Sequence, residues 1–507
     1  MRRLVVPLLV ALVAAGPAAA DRIVAKQAGS RLVGTPRSDV LVGRRGPDLV
    51  DAAFGGRDRV TCGSGRDVVS ADVRDRVAAD CEVVSRRLSV DTSTNPRSQH
   101  ETAVEPDDFA WGSTVVAAYQ LGRYEQGAAS NIGAAVSTDA GRTWRRTVLP
   151  GITLESSPPG TEISASDPTV AYDAAHGVWL VGSLTLETGS SHVLVSRSQD
   201  GLHWSLPVVV ATGPVLDKDW FACDNNAASP HRGRCYATYT DDVKNWTVVQ
   251  HSDDGGATWS TPVRAAGTLV GTQPVIRPDG GLVVVAGSYN GEQALTGSIA
   301  SLVSTDGGET FTRSIVSTLT ARSNEPLRSI ALPSADVDGA GTLYAAWHDC
   351  RFRSGCSGND LVLSTSTDGV LWKPPVRIPL KAGKRAVQAF LPGLVADPTQ
   401  AGHLGLVYAF WRPGTCPHAC LLEVAFVSSA NGGRSWSVPQ ELSPRPLPMS
   451  WLARSEGGRM VGDYLSTAYA DGRFVPVFAL AEPPRDERLR EAIFAASLPA
   501  VPRPPRG

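Results

Sequence analysis

One polar phrase recurs six times in this chain and limits what the rest of it can be. It reads STDAGRTW from Ser137 to Trp144, SDDGGATW from Ser252 to Trp259, STDGGETF from Ser304 to Phe311 and SANGGRSW from Ser429 to Trp436. Two shorter copies, SQDGLHW from Ser198 to Trp204 and STDGVLW from Ser366 to Trp372, lack one residue. The Ser hydroxyl and Asp carboxylate suit hydrogen bonding to turn amides, glycine supplies a positive φ, and the aromatic ring closes the turn onto a core. These are building parts, so Asp139, Asp200, Asp254, Asp306 and Asp368 are read as structural. Copies begin 52 to 63 residues apart, and each is preceded by short apolar runs separated by turns. Repeats of that length and grammar build blades of four strands.

Paired inner strands can be counted independently of the boxes. They fall at 101–119, 167–183, 219–240, 273–289, 330–347, 390–411 and 463–480. The expectation is an all-β propeller of seven blades, with six as the alternative. After the last pair, Glu491 to Ser497 offers a third strand but no box follows. Arg87 to Asp91 is expected to supply the missing outer strand and leave no exposed sheet edge.

The N-terminal part has its own repeat. A G-x-D unit stands at Gly46 to Asp48, Gly56 to Asp58 and Gly65 to Asp67, and Asp39 lies nine residues before Asp48. Glycine turns that expose carbonyls and aspartates that add carboxylates suit a parallel β-roll whose stacked turns form oxygen cages. Arg44 and Arg45 stand where further glycines are expected, so a purely structural roll is the alternative. Before it, Arg2-Arg3, an apolar run and Ala18-Ala19-Ala20 have the layout of a signal peptide, and the apolar run is too short for a membrane span. The expected organisation is a leader at 1–20, the roll at 32–84, the propeller at 87–498 and a disordered tail at 499–507.

The eight cysteines lie in four close pairs, Cys62 with Cys81, Cys223 with Cys235, Cys350 with Cys356 and Cys416 with Cys420. In an exported chain such pairs are expected to be disulfides, although eight cysteines allow about 105 connectivities. Loss of Arg2 and Arg3 with the leader takes the formal charge from −2 to −4, which gives no basic surplus for nucleic acid. A secreted monomer with no transmembrane segment is expected. No P-loop, G-x-S-x-G elbow, H-E-x-x-H or dinucleotide fingerprint is present.

The recurrent turn resembles the Asp-box, or BNR repeat, of the sialidase superfamily, and the G-x-D segment resembles the RTX or haemolysin-type calcium-binding repeat. The first resemblance implies a glycoside hydrolase acting on an acidic or sialylated glycan. The alternative is a non-catalytic extracellular propeller that binds glycan or protein, since strings such as VGDYLS occur in secreted Asp-box proteins with or without activity. The resemblance implies Tyr464 as nucleophile with Glu325 as its neighbour, Asp167 or Asp219 as acid and base, and Arg277, Arg328 and Arg351 as a clamp on a substrate carboxylate. The family's Arg-Ile-Pro string is absent from the first blade, and Ile276-Arg277-Pro278 carries those residue types in another order in the fourth. Inner-strand Asp, Arg and Tyr also serve as buried pairs that knit blades together. The second resemblance implies calcium held by Asp39, Asp48, Asp58 and Asp67. Two further strings stand at inner-strand ends: Asp217-Lys218-Asp219-Trp220, and the arginine-bearing loop from Asp349 to Cys356, suited to anion recognition or to stiffening the mouth.

Overall fold

Short alternating apolar runs and frequent glycine turns leave almost no room for helix. Among the described residues the only helical segments are two single 3-10 turns, Ser354–Cys356 and Met449–Trp451. The structure is a computed structural model that describes residues 21–500 apart from 188, 292–294, 383–384, 413–415 and 417–419. The leader expected at 1–20 lies outside these residues, as does most of the tail. Leu498–Pro499, at the expected boundary of propeller and tail, is a short strand paired with Arg473 and Phe474.

The roll is two parallel ladders wound from one chain. Arg22–Val24, Val40–Val42, Arg59–Thr61 and Arg76–Val77 form one wall. Arg31–Val33, Leu49–Asp51, Val68–Asp72 and Val83–Arg87 form the other. Side chains alternate across each strand, so Leu32, Leu41, Val50, Val60 and Val69 fill the space between the walls. The Cys62–Cys81 disulfide lies in the same core. The other three expected pairs are also bonded.

Six blades are sheets of their own, each built on a meander of four consecutive strands, and the sixth carries a short fifth strand, Leu447–Pro448, paired with Leu421 and Leu422. Their inner strands are Ala103–Trp111 (blade I), Ser166–Asp173 (II), Leu216–Cys223 (III), Val270–Ile276 (IV), Ser334–Val337 (V) and Gln388–Ala396 (VI). A further sector, blade VII, is not self-contained. It runs Ser466–Ala470, Arg473–Arg485, Arg488–Ala496 and then Val83–Arg87, so the last rung of the roll is also its outer strand. The count of six thus holds for independent sheets and seven for inner strands. The strand that completes the ring is Val83–Arg87, not Arg87–Asp91. The chain leaves the ladder beyond Arg87, where the Leu88 and Ser89 amides both turn to the carbonyl of Ile493. The apolar core does not stop at the join either, since Val68 and Val83 pack in one cluster with Phe478 and Phe494.

Neighbouring inner strands are tied by side chains that bond to the next blade's backbone. The Val170 amide donates to Asp107 (2.8 Å), the Ala335 amide to Gln273 (2.8 Å) and the Ala396 amide to Asp336 (2.8 Å). Thr467 donates to Gly393 O (2.9 Å), and Ser466 donates to Asp108 O (3.4 Å), joining VII to I. The six polar turns close the opposite ends of the blades. In the first, Ser137 Oγ donates to Asp139 (2.8 Å), Asp139 accepts from the Thr143 amide (2.8 Å), and Trp144 Nε1 donates to Gly141 O (3.0 Å). The carboxylates are consumed inside their own turns, as a structural part requires.

Candidate functional site

Five inner strands break register at the same point near their N-terminal ends. In each, two residues stand opposite one on the neighbouring strand, which is a β-bulge. The first bulged residues are Glu105 (φ +57), Asp167 (φ +46), Lys218 (φ +53), Gly271 (φ +65) and Leu391 (φ +52). Positive φ at a non-glycine residue costs on the order of 1–3 kcal/mol and persists only where its surroundings fix it. Proline follows the bulged residue at Pro106, Pro168 and Pro392, since a bulge is one of the few places in a sheet that spares an amide. The bulges aim Glu105, Asp167 and Lys218 at one point at the channel mouth, where Asp463, just before blade VII, meets them.

Lys218 Nζ lies 2.8 Å from Asp463 Oδ2, 3.3 Å from Asp167 Oδ1 and 3.5 Å from Glu105 Oε1. All four residues are buried. Arg328 forks onto Asp463, with Nε at 2.8 Å from Oδ1 and Nη2 at 2.6 Å from Oδ2, and is the member most open to solvent at 30 % exposure. Behind Glu105, Gln120 Nε2 donates to Glu105 and to Ser166 Oγ (3.0 Å). Buried Arg123 donates to Gln120 Oε1 (2.8 Å) and Ser455 Oγ (3.0 Å). Glu105, Asp167 and Asp463 thus close around Lys218, with Arg328 on Asp463 and Arg123 behind Gln120.

Electrostatics follow from burial and pairing. Burial alone would lower the Lys218 ammonium, but Asp167, Asp463 and Glu105 outweigh it and hold it well above its ordinary value. Burial would raise Asp463, yet Lys218 and Arg328 keep it far below the usual carboxylate range. Glu105 is raised, since burial exceeds what Lys218 returns. Burial, followed by the Asp167 charge, pushes Asp219 well above its ordinary value, and neither of its buried oxygens has a hydrogen-bond partner.

The residues expected to form an active centre are only partly brought together. Asp167, Asp219, Arg328 and Tyr464 gather around the mouth, but Tyr464 is buried, its ring 5.0 Å from that of Trp220 and its hydroxyl donating to Pro168 O (3.0 Å). Burial, reinforced by Glu105, Asp167, Asp107 and Asp219, pushes its phenol well above the ordinary value. Glu325 is exposed on a loop, and no contact joins it to Tyr464. Arg277 follows the C-terminal end of its inner strand and pairs with Asp279 (3.0 Å), on the Asp-box face. Arg351 lies outward on the mouth face, held by Asp349 (2.6 Å), Ser317 Oγ (3.0 Å) and Thr318 O. The three arginines do not converge. Nothing in the sequence assigns a role to Lys218, Gln120 or Arg123; the x-Pro step marks the bulges at Glu105 and Asp167, but no proline follows Lys218, Gln120 or Arg123. Across from the cage, Gly271, Leu332 and Leu391 line an apolar half, and the space left against Asp463 and Tyr464 is about 20 Å³.

The roll aspartates form a ladder. The Asp39 amide donates to Asp58 Oδ1 (2.7 Å), the Asp48 amide to Asp67 Oδ1 (2.6 Å) and the Asp58 amide to Asp75 Oδ1 (2.9 Å), each one coil further on. Asp58 Oδ2 and Asp67 Oδ2 are buried without a partner. A side chain at Gly34 would point its Cβ to a place 3.4 Å from Asp39 Oδ2, Asp58 Oδ2 and Asp51 O, a cradle of oxygens suited to a hard cation. Burial, then the charges of Asp75, Asp39 and Asp72, push Asp58 up to about 7. Among the described residues no three His, Cys, Asp or Glu side chains group closely enough to hold a metal by themselves, so the backbone carbonyl would be an essential ligand.

Residues 183–395 match the family described as the BNR repeat-like domain. Solved structures of similar shape include a Hadza microbial sialidase, 17% identical with a TM-score of 0.43, over 61% of this chain and 63% of that one. A leech intramolecular trans-sialidase is 15% identical with a TM-score of 0.41, over 61% and 65%. An ulvan lyase, of a new family of polysaccharide lyase, is 12% identical with a TM-score of 0.46, over 82% and 93%. The chain spans less than two thirds of the two sialidase structures. No curated protein matches. Residues 183–395 of this all-β propeller, with its six polar turns and four disulfides, are thus similar to the BNR repeat-like domain.

Proposed function

We propose that this chain is an extracellular, non-catalytic recognition propeller for acidic glycans. The observation that carries the reading is that the channel mouth is filled by its own side chains. Asp463 occupies the Arg328 fork that a substrate carboxylate would need, Lys218 satisfies three carboxylates, and the cavity beside Asp463 and Tyr464, about 20 Å³, admits roughly one water molecule. A nucleophilic Tyr needs a phenol that ionises readily, and the environment of Tyr464 works against that. The Asp-box resemblance supports glycan as the ligand class, and four disulfides suit an oxidising compartment outside the cell.

A hydrolase acting on an acidic or sialylated glycan is the second reading, favoured by Arg328, the most exposed member of the cage, standing beside buried acids. It requires Arg328 to exchange Asp463 for the substrate. The test pairs fluorophore release from an α-sialoside with binding to an array of neutral, carboxylated and sulfated glycans. Binding to acidic glycans without release from about pH 4 to 8 is expected. Release that Tyr464→Phe abolishes would establish the hydrolase instead.

Calcium is proposed for the roll, held by Asp39, Asp58 and the Asp51 carbonyl, with Asp48 and Asp67 in the equivalent place on the other side. Its charge would relieve the repulsion that raises Asp58 and would stiffen the coil. Calorimetric titration of the whole chain reads this directly; no heat and no rise in melting temperature would dismiss it.

A further inference from the structure

On the face opposite the mouth, each Asp box packs against the blade before it, and arginines brace two of these junctions. Between blades II and III, Arg197 Nε donates to Gly255 O (2.8 Å). Between III and IV, Arg234 Nη1 donates to Gly307 O (3.0 Å) while its other nitrogens hold Asp253. Arg197 stands immediately before a box serine, and the residue in that place in blade V is Thr365. Its side chain is too short to cross. The two blades meet instead through the Gly402 amide, which donates to Asp338 Oδ2 (2.7 Å), and the Gly339 amide, which donates to Asp397 O (3.2 Å).

An open furrow of about 630 Å³ lies between blades V and VI. This lies within the ~300–1,000 Å³ range of small-ligand sites, unlike the mouth. Its walls carry the hydroxyls of Thr342, Thr365 and Ser435, the last accepting from Asn431 Nδ2 (2.7 Å), and Lys373 and Arg434 stand exposed at its lips. Arg434 Nε donates to Asn431 O (2.9 Å), which fixes the side chain, and neither cation forms an ion pair among the described residues. Asp338 on the floor is buried and accepts from the Ala340, Thr342 and Gly402 amides and the Tyr344 hydroxyl, so its charge is answered from within. Hydroxyls between two cations match a ligand rich in hydroxyls and carrying negative charge.

We propose that this furrow is the binding site for an anionic oligosaccharide, with Lys373 and Arg434 gripping its carboxylate or sulfate and Thr342, Thr365 and Ser435 bonding its hydroxyls. The proposal rests on the recognition reading and adds where recognition occurs. It is tested on the full chain by calorimetry with sialyllactose, tetragalacturonate and a heparin tetrasaccharide, with maltotetraose as the neutral arm and a polyglutamate peptide as the non-sugar arm. At least one anionic sugar is expected to bind and maltotetraose and the peptide are not. Thr365→Arg, which sets a long side chain in the furrow at the position Arg197 holds in blade II, and the pair Lys373→Glu and Arg434→Glu are each expected to weaken binding about tenfold or more, with melting temperature unchanged. Binding that these variants leave intact, or that only Arg328→Ala removes, would overturn the furrow and leave recognition standing. Equal binding of the peptide would replace the sugar by a protein ligand. No binding by any sugar would overturn both readings.

Discussion

Replacing Lys218 by Met keeps much of the side chain's length and apolar stem while deleting the charge at the centre of the cage. Glu105, Asp167 and Asp463 would then face one another with only Arg328 and, through Gln120, Arg123 to answer them. Removing one partner from a buried ion pair costs about 3–5 kcal/mol. Over the 480-residue span 21–500, an unfolding entropy of roughly 2.1 cal/mol/K per residue gives about 1 kcal/mol/K, so the melting temperature should fall by about 3–5 °C at neutral pH. The sign of the pH dependence is fixed too. Without the ammonium, the folded-state pKa of these carboxyls rises, the folded state binds more protons than the unfolded, and stability falls as pH rises. The deficit relative to wild type should therefore shrink on going from about pH 7.5 to pH 5, as protons replace the lost cation. Differential scanning calorimetry at both pH values reads it. A variant as stable as wild type at pH 7.5, or a deficit equal at both, would refute the view that this ammonium holds the ring together.

Other expectations follow from single features. Burial would raise Asp254, but bonds from the Thr258 hydroxyl and amide and the Ser252 hydroxyl bring it down to about 2. The stability it adds is present above the ordinary value near 3.8 and lost as pH falls through about 2, so Asp254→Ala should cost about 1 kcal/mol at neutral pH and nothing measurable in strong acid, read by urea titration. Asp58 is raised to about 7, so in chelator wild type should gain stability as pH falls through 7, and Asp58→Asn, which keeps an oxygen for the Asp39 amide, should flatten that slope in thermal scans. Truncation to residue 88 onward removes the strand paired with Phe494–Ala496, and light scattering should show association through the bared edge.

Local features were legible in the sequence, because each depends on residues close together in the chain. The Asp boxes are turns that bond within themselves, and all four disulfides join near neighbours. The roll and inner strands follow from alternation. The site was less legible because its members meet only across blades. Lys218 reads as one charge in a charged string until bulges in three strands aim it, Glu105 and Asp167 at one point. Arg277 attracted attention by its Ile-Arg-Pro context, yet it follows the C-terminal end of Val270–Ile276, whereas the residues at the mouth lie near N-terminal ends. Strand polarity would have excluded it. The closing strand was misplaced because Val83–Arg87 belongs to two repeats at once, and neither pattern alone marks it.

That shared strand also sets an order of assembly. Ser85 pairs with Ala496, 411 residues later in the chain. Closing a loop of that size costs about 5 kcal/mol in chain entropy, and a floppy terminal strand would lose its own freedom as well. Here the terminal strand is already rigid, clamped in parallel to Val68–Asp72 and covered by a disulfide-stapled core. A coil completed early in synthesis would wait as a template edge, and the last blade would dock onto a surface rather than search for a strand. The roll is then the ring's clasp, and a lesion there, far from the last blade in sequence, should register first as failure of that blade to close.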